Sequence, residues 1–97
     1  MSKFLATAER MRTVATKLEA EANSYEAASK AAKAAGDDLT SRWEGDSQKV
    51  FVAEQQQAYS WYQQMTAIVR QHAQALRKAA QEYEKADAEA ARIISNG

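Results

Sequence analysis

The stretch TSRWEGDSQK, Thr40 to Lys49, decides the fold. It places one of the two tryptophans, Trp43, two residues before Gly45, with acids at Glu44 and Asp46 and a serine on either side. From Ala6 to Leu39, and again from Val50 to Ile94, the chain reads differently. It is Ala, Glu, Lys, Arg and Gln, with apolar residues at helical intervals. The chain has no proline and three glycines, Gly36, Gly45 and Gly97, a composition that favours helix over any turn-rich fold. The pattern stops at Ser41 and resumes near Val50, so the stretch is a single break between two helices. Gly45 can turn the chain at no steric cost, and Asp46 or Ser47 is suited to cap the second helix. A connection of about six residues suits an antiparallel αα-hairpin.

Working outward, a seven-residue ladder runs through Phe4, Met11, Leu18, Tyr25, Ala32 and Leu39, with Val14, Ala15, Ala22, Ala28 and Ala35 beside it. Glu21 falls on a stripe position and Gly36 lies next to it, so this seam is imperfect. A second ladder runs through Phe51, Ala58, Met65, His72, Ala79, Ala86 and Ile93, flanked by Trp61, Tyr62, Ile68, Val69, Ala75, Leu76, Tyr83 and Ala90. Each half predicts a helix of about 35 to 45 residues, on the order of 50 to 65 Å long at 1.5 Å per residue. Heptads sustained over that length imply packing against another helix. The predicted hairpin or dimer core is Met11, Leu18, Tyr25 and Leu39 on the first helix and Phe51, Trp61, Met65, Ile68 and Leu76 on the second. The bulk around Phe51, Trp61, Tyr62 and Met65 is expected to fit opposite the alanine-rich stretch from Ala27 to Ala35.

These readings give one all-α domain over residues 1–97: helix one over about 5–40, a turn over about 41–46, and helix two over about 47–92. Apolar types make up 45% of the 97 residues, but many are alanine, whose burial contributes little beside Leu or Phe. A single hairpin therefore has a thin core. Small scaffolds need a staple, a metal or a partner. The chain has no cysteine, which excludes disulfides, thiolate zinc sites and cysteine nucleophiles. A partner remains, and two hairpins make a four-helix bundle.

The same residues argue against several functions. Thirteen basic and thirteen acidic groups balance, and neither half is polarised, so no basic face invites nucleic acid or an anionic membrane. No segment approaches the roughly 20 apolar residues of a membrane span. The start, MSKFLATAERMRTVA, is interrupted by charges and lacks a signal-peptide core, so any export is expected to bypass that route. The lone His72 has no Glu-x-x-His partner and sits on an apolar ladder, which predicts a packed side chain or else a pH-sensitive interface contact. The carboxylate pairs Asp37–Asp38 and Glu82/Glu84 lie on polar faces, and no glycine-rich phosphate loop exists. No catalytic site, cofactor or metal is expected. Gln55, Gln56, Gln57 and Tyr59 beside Trp61 and Tyr62 form a polar-aromatic patch that either fills a bundle or serves as a recognition surface.

Two helical halves joined at Trp43-Glu44-Gly45, in a chain of this length without a signal peptide, resemble the WXG-hundred family, the early-secreted-antigen-like proteins of bacterial type VII secretion. A second match is the tail, YEKADAEAARII, from Tyr83 to Ile94. It resembles the family's Tyr-x-x-x-Asp/Glu export signal at Tyr83 and Asp87, with Ala90 and Ile94 at the downstream apolar positions. On a helix these four residues share one face, a helix-in-groove layout with apolar anchors and one charge. The resemblance implies a substrate or adaptor of a type VII machine, made in the cytoplasm and secreted as a folded dimer, its tail read by the secretion ATPase. Its partner would be itself, the weakly preferred reading, or a sister WXG protein. Across an antiparallel dimer, one chain's W-x-G turn would meet the other's Tyr83 and Asp87 as a composite signal. The runner-up is a cytosolic coiled-coil or scaffold subunit with no export role.

Overall fold

In the computed structural model, residues 3–96 are described, with side chains through residue 95. Two helices account for nearly all of them. Helix α1 spans Lys3–Thr40 and α2 spans Asp46–Asn96, with no strand among the described residues. The chain is all-α, and the part around the turn, Glu21–Ile68, is an antiparallel helical hairpin.

The end of α1 shows why the chain stops there. The last four carbonyls of a helix have no intrahelical partner, and here each finds one. The carbonyl of Asp37 accepts from the Ser41 amide at 3.1 Å and the Thr40 hydroxyl at 3.1 Å. That of Asp38 accepts from the Ser41 hydroxyl at 2.6 Å, and that of Leu39 from the Arg42 amide at 3.1 Å. That of Thr40 accepts from the Trp43 amide at 3.3 Å and from the Gln48 side-chain amide at 3.2 Å. Gln48 belongs to α2, so the second helix caps the first. Gly45 then takes φ +113°, a conformation L side chains rarely adopt. Its carbonyl accepts from the Lys49 amide at 3.4 Å and so begins α2. Asp46 and Ser47, expected as caps, lie inside α2, and Gly45 stands at the cap position. Asp46 lies in the first turn, where a negative charge suits the helix dipole.

The chain divides into two compact units, Met1–Ala20 with Val69–Gly97, and Glu21–Ile68. In the first, Arg12 pairs with Glu84 and Arg77 with Glu19 at 2.5 Å, so positions rise along α1 as they fall along α2. Arg77 also donates to the Thr16 hydroxyl at 3.1 Å. The buried side chains of this unit are Ala8 and Ala15 on α1 and Ala73 and Ala80 on α2. In the second unit Ala22, Ser29 and Gly36 are buried on α1 and Thr66 on α2. Both sets follow seven-residue spacing. The two helices of each unit therefore meet through small residues, which permit the short end of the 8–10 Å range of interaxial distances. No large side chain is fully buried among the described residues.

This seam is displaced from the large-residue ladders. Phe4, Tyr25 and Leu39 are exposed and Met11 and Leu18 half-buried. On α2, Trp61, Met65 and Ile68 are exposed while Phe51 and Leu76 are half-buried. His72, expected to pack, is exposed. Gly36 is no imperfection: the Gln55 carboxamide lies where its Cβ would be, donating to the Lys33 carbonyl at 3.3 Å and to Asp37 Oδ1 at 3.0 Å. Asp37 and Asp38 stand at the negative end of the α1 dipole. Each is offset by a cation on its own face, Lys33 at 2.8 Å and Arg42 at 3.5 Å.

Candidate functional site

Two places hold the residues singled out by sequence. The turn lies in the second unit. Trp43 is half-buried, with its ring centroid 5.7 Å from that of Phe51, in the first turns of α2. Turning the chain within five residues leaves Trp43 opposite the start of α2, and Phe51 is the first aromatic it meets there. Glu44 and Gly45 are exposed, and nothing lies within 4 Å of the position a Gly45 side chain would take. Gly45 is thus required for its backbone and not for room. The arrangement offers an indole edge, one carboxylate and open space beside them.

The tail lies in the first unit. Helix α2 continues through it to Asn96, so Tyr83, Asp87, Ala90 and Ile94 share a face of regular helix. Tyr83 is at the margin of exposure, Asp87 half-buried, and Ala90 and Ile94 exposed, with Ile94 at 80% and Ile93 at 60%. The Tyr83 ring meets Phe4 edge to face, with centroids 5.6 Å apart and planes at 79°. Its neighbour Glu84 takes the ion pair from Arg12. The start of α1 thus holds the tail's aromatic, a link across the whole chain that no local pattern announces.

The Arg12–Glu84 and Arg77–Glu19 pairs join α1 to α2, whereas the Lys33–Asp37 pair lies within α1. Arg77 donating to Glu19 holds that carboxyl below its ordinary range, and Lys33 does the same for Asp37 with help from Gln55. The partners move oppositely: Glu19 raises Arg77 and Asp37 raises Lys33. No cluster of three or more metal-ligating side chains exists among the described residues. A cavity of about 60 Å³ beside Lys33, Gln55, Tyr59 and Tyr62 has room for a water or two and no larger ligand. The Lys33 ammonium lies 5.8 Å from the Tyr59 ring centroid there. In the patch beside it, Trp61 and Tyr62 pair edge to face at 5.2 Å, and both are exposed.

Sequence reasoning missed Thr66, Ala73 and Ala80, the α2 side of the seam. Their seven-residue spacing was the available signal, hidden among other alanines. It also missed Phe4 as the partner of Tyr83.

The sequence profile of the family described as "Proteins of 100 residues with WXG" matches residues 3–88. No curated protein and no solved structure matches the chain. No helix among the described residues is long and apolar enough to cross a membrane.

Proposed function

The chain belongs to the WXG-hundred family, a family of small proteins associated with type VII secretion, and from that premise we propose that it is a secreted substrate or adaptor of such a machine. It acts by binding other proteins and carries no catalytic centre. It leaves the cell as a folded dimer of helical hairpins, in which the turn at Trp43, Glu44 and Gly45 of one chain and Tyr83 and Asp87 of the other form a composite export signal. The secretion ATPase reads this signal, with Ala90 and Ile94 as further anchors.

One observation carries the reading beyond family membership: the large apolar side chains lie outside the hairpin seam. A compact protein of 10.7 kDa is expected to expose about 5,500 Å². This chain exposes 7345 Å², and the excess of about 1,800 Å² per chain suits an obligate interface. Trp61, Met65, Ile68, Tyr25 and Leu39 in the second unit, and Val14 in the first, are available to supply it. The balanced charge presents no repulsion between two copies, so the preferred partner is a second copy of this chain, with a sister WXG protein as the other choice.

Export is tested with Tyr83→Ala in a bacterium that carries a type VII machine, by comparing culture supernatant with cell pellet. The reading predicts retention of a folded, dimeric variant in the pellet. Undiminished export of the Tyr83 variant contradicts the signal assignment. Retention of the unaltered chain in a host whose machine exports other WXG proteins favours the cytosolic scaffold.

A further inference from the structure

We infer that Phe4, at the start of α1, is a positioning residue for the export signal, so that the surface read at the tail is built from both helices of one chain. The inference rests on the proposed reading of Tyr83 and goes beyond it, since it assigns part of the recognition surface to the opposite end of the sequence.

The small-residue seam of the first unit ends at Ala8 on α1 and Ala80 on α2, both buried. Phe4 lies one helical turn before Ala8 and Tyr83 about one turn after Ala80. Because the helices run antiparallel, both rings stand at the same end of the seam. The two rings meet there at 5.6 Å and 79°, the edge-to-face arrangement aromatic quadrupoles favour. Arg12, on the same helix as Phe4, binds Glu84, the residue after Tyr83, and holds the two helices in register at this point. Tyr83 is therefore fixed on one side by a ring and through its neighbouring residue by an ion pair.

The contact does not hide the aromatic. Tyr83 keeps 36% of its surface open and Phe4 keeps 44%. An anchor already held in one rotamer loses less freedom on docking than a loose one, which is how preorganisation raises affinity. Phe4 also presents its own open ring surface beside Tyr83. The occupant of this surface is a protein groove with an apolar slot for two adjacent rings and a cationic or amide group for the Asp87 carboxylate.

The experiment compares export of the full-length chain with that of Tyr83→Ala, Phe4→Leu and Phe4→Tyr, in a host with a type VII machine. Leu keeps the apolar bulk and favours helix, so circular dichroism and light scattering should match the unaltered chain. Tyr keeps the ring. An aromatic pair lost from the preorganised anchor corresponds to an effect of about two- to twelvefold. The expected result is a drop of that size in exported protein for Phe4→Leu, near-normal export for Phe4→Tyr, and a loss for Tyr83→Ala. Normal export of Phe4→Leu with loss for Tyr83→Ala overturns the inference and leaves the signal reading intact. An equal drop for Phe4→Leu and Phe4→Tyr also overturns it, because the ring would then not be what matters. Normal export of Tyr83→Ala removes the signal reading and this inference together.

Discussion

Replacing Ala73 with Leu tests the claim that the helices of each hairpin unit meet through small residues alone. Ala73 is fully buried and belongs to the same ladder as Ala80, with Ala8 and Ala15 buried on α1. A Leu side chain adds three carbons to a contact with no large buried neighbour to give way, so the helices must separate or the side chain must leave its rotamer. Overpacking of that kind costs about 1–3 kcal/mol. The helix propensities of Ala and Leu differ by far less, so local preference does not offset the strain. In a domain of this size each kcal/mol moves Tm by about 4–8 °C, which predicts a fall of about 5–20 °C. The assay is thermal unfolding followed by far-ultraviolet circular dichroism, at one fixed protein concentration because association shifts Tm by mass action. Ala88→Leu, at an exposed position, serves as control and should stay within about 0.5 kcal/mol of the unaltered chain. If Ala73→Leu melts with the control, or above it, the close small-residue seam is wrong.

Two further outcomes follow from the turn and the ion pairs. Gly45→Ala meets no steric obstacle, yet must hold φ near +113°, so it should destabilise the chain by about 1–3 kcal/mol with its helix content unchanged, measured by urea unfolding. The hydrogen bond from Arg77 depresses the Glu19 carboxyl below its ordinary 4.5, so the folded state binds that proton less readily than the unfolded chain. The resulting stability is present above pH 4.5 and is lost as pH falls through the depressed folded value. Asp37, depressed below 3.8 first by Lys33, adds the same sign at lower pH. Glu19→Gln should flatten the decline below pH 4.5 in a pH series of urea midpoints.

The hairpin was legible in the sequence because its causes are local. The absence of proline, the unbroken helical composition and a lone glycine-bearing break at Trp43 to Gly45 leave little choice of fold. Which ladder zips the hairpin was not legible. Large apolar residues at seven-residue spacing mark burial somewhere in an assembly, not the partner that buries them. The seam is set by how closely two helix axes can approach, so it runs through Ala8, Ala15, Ala22, Ser29 and Gly36, residues with little transfer energy of their own. Gly36 illustrates the difference. A gap in an apolar stripe becomes the place where Gln55 crosses from α2 to reach the Lys33 carbonyl. His72 lies exposed on its ladder in the single chain, where a contact with a second copy would bury it.

The candidate site divides in the same way. Trp43, Glu44 and Gly45 stand out because the chain breaks there, and Tyr83 and Asp87 because they match the export signal of the family that the chain resembles. The pairing of Trp43 with Phe51, and above all that of Tyr83 with Phe4, depends on where the antiparallel register places distant residues. Charge pairs such as Arg12 with Glu84 and Arg77 with Glu19 fix that register, and their partners lie too far apart in sequence for any helical spacing rule to join them.

The mass of the purified chain in solution, by light scattering at micromolar concentration, tests the central claim most directly. If the apolar side chains outside the seam form the interior of a bundle of two hairpins, the chain alone should show twice its 10.7 kDa. A single-chain mass with a cooperative thermal transition would contradict it, because the seam would then suffice to hold the fold.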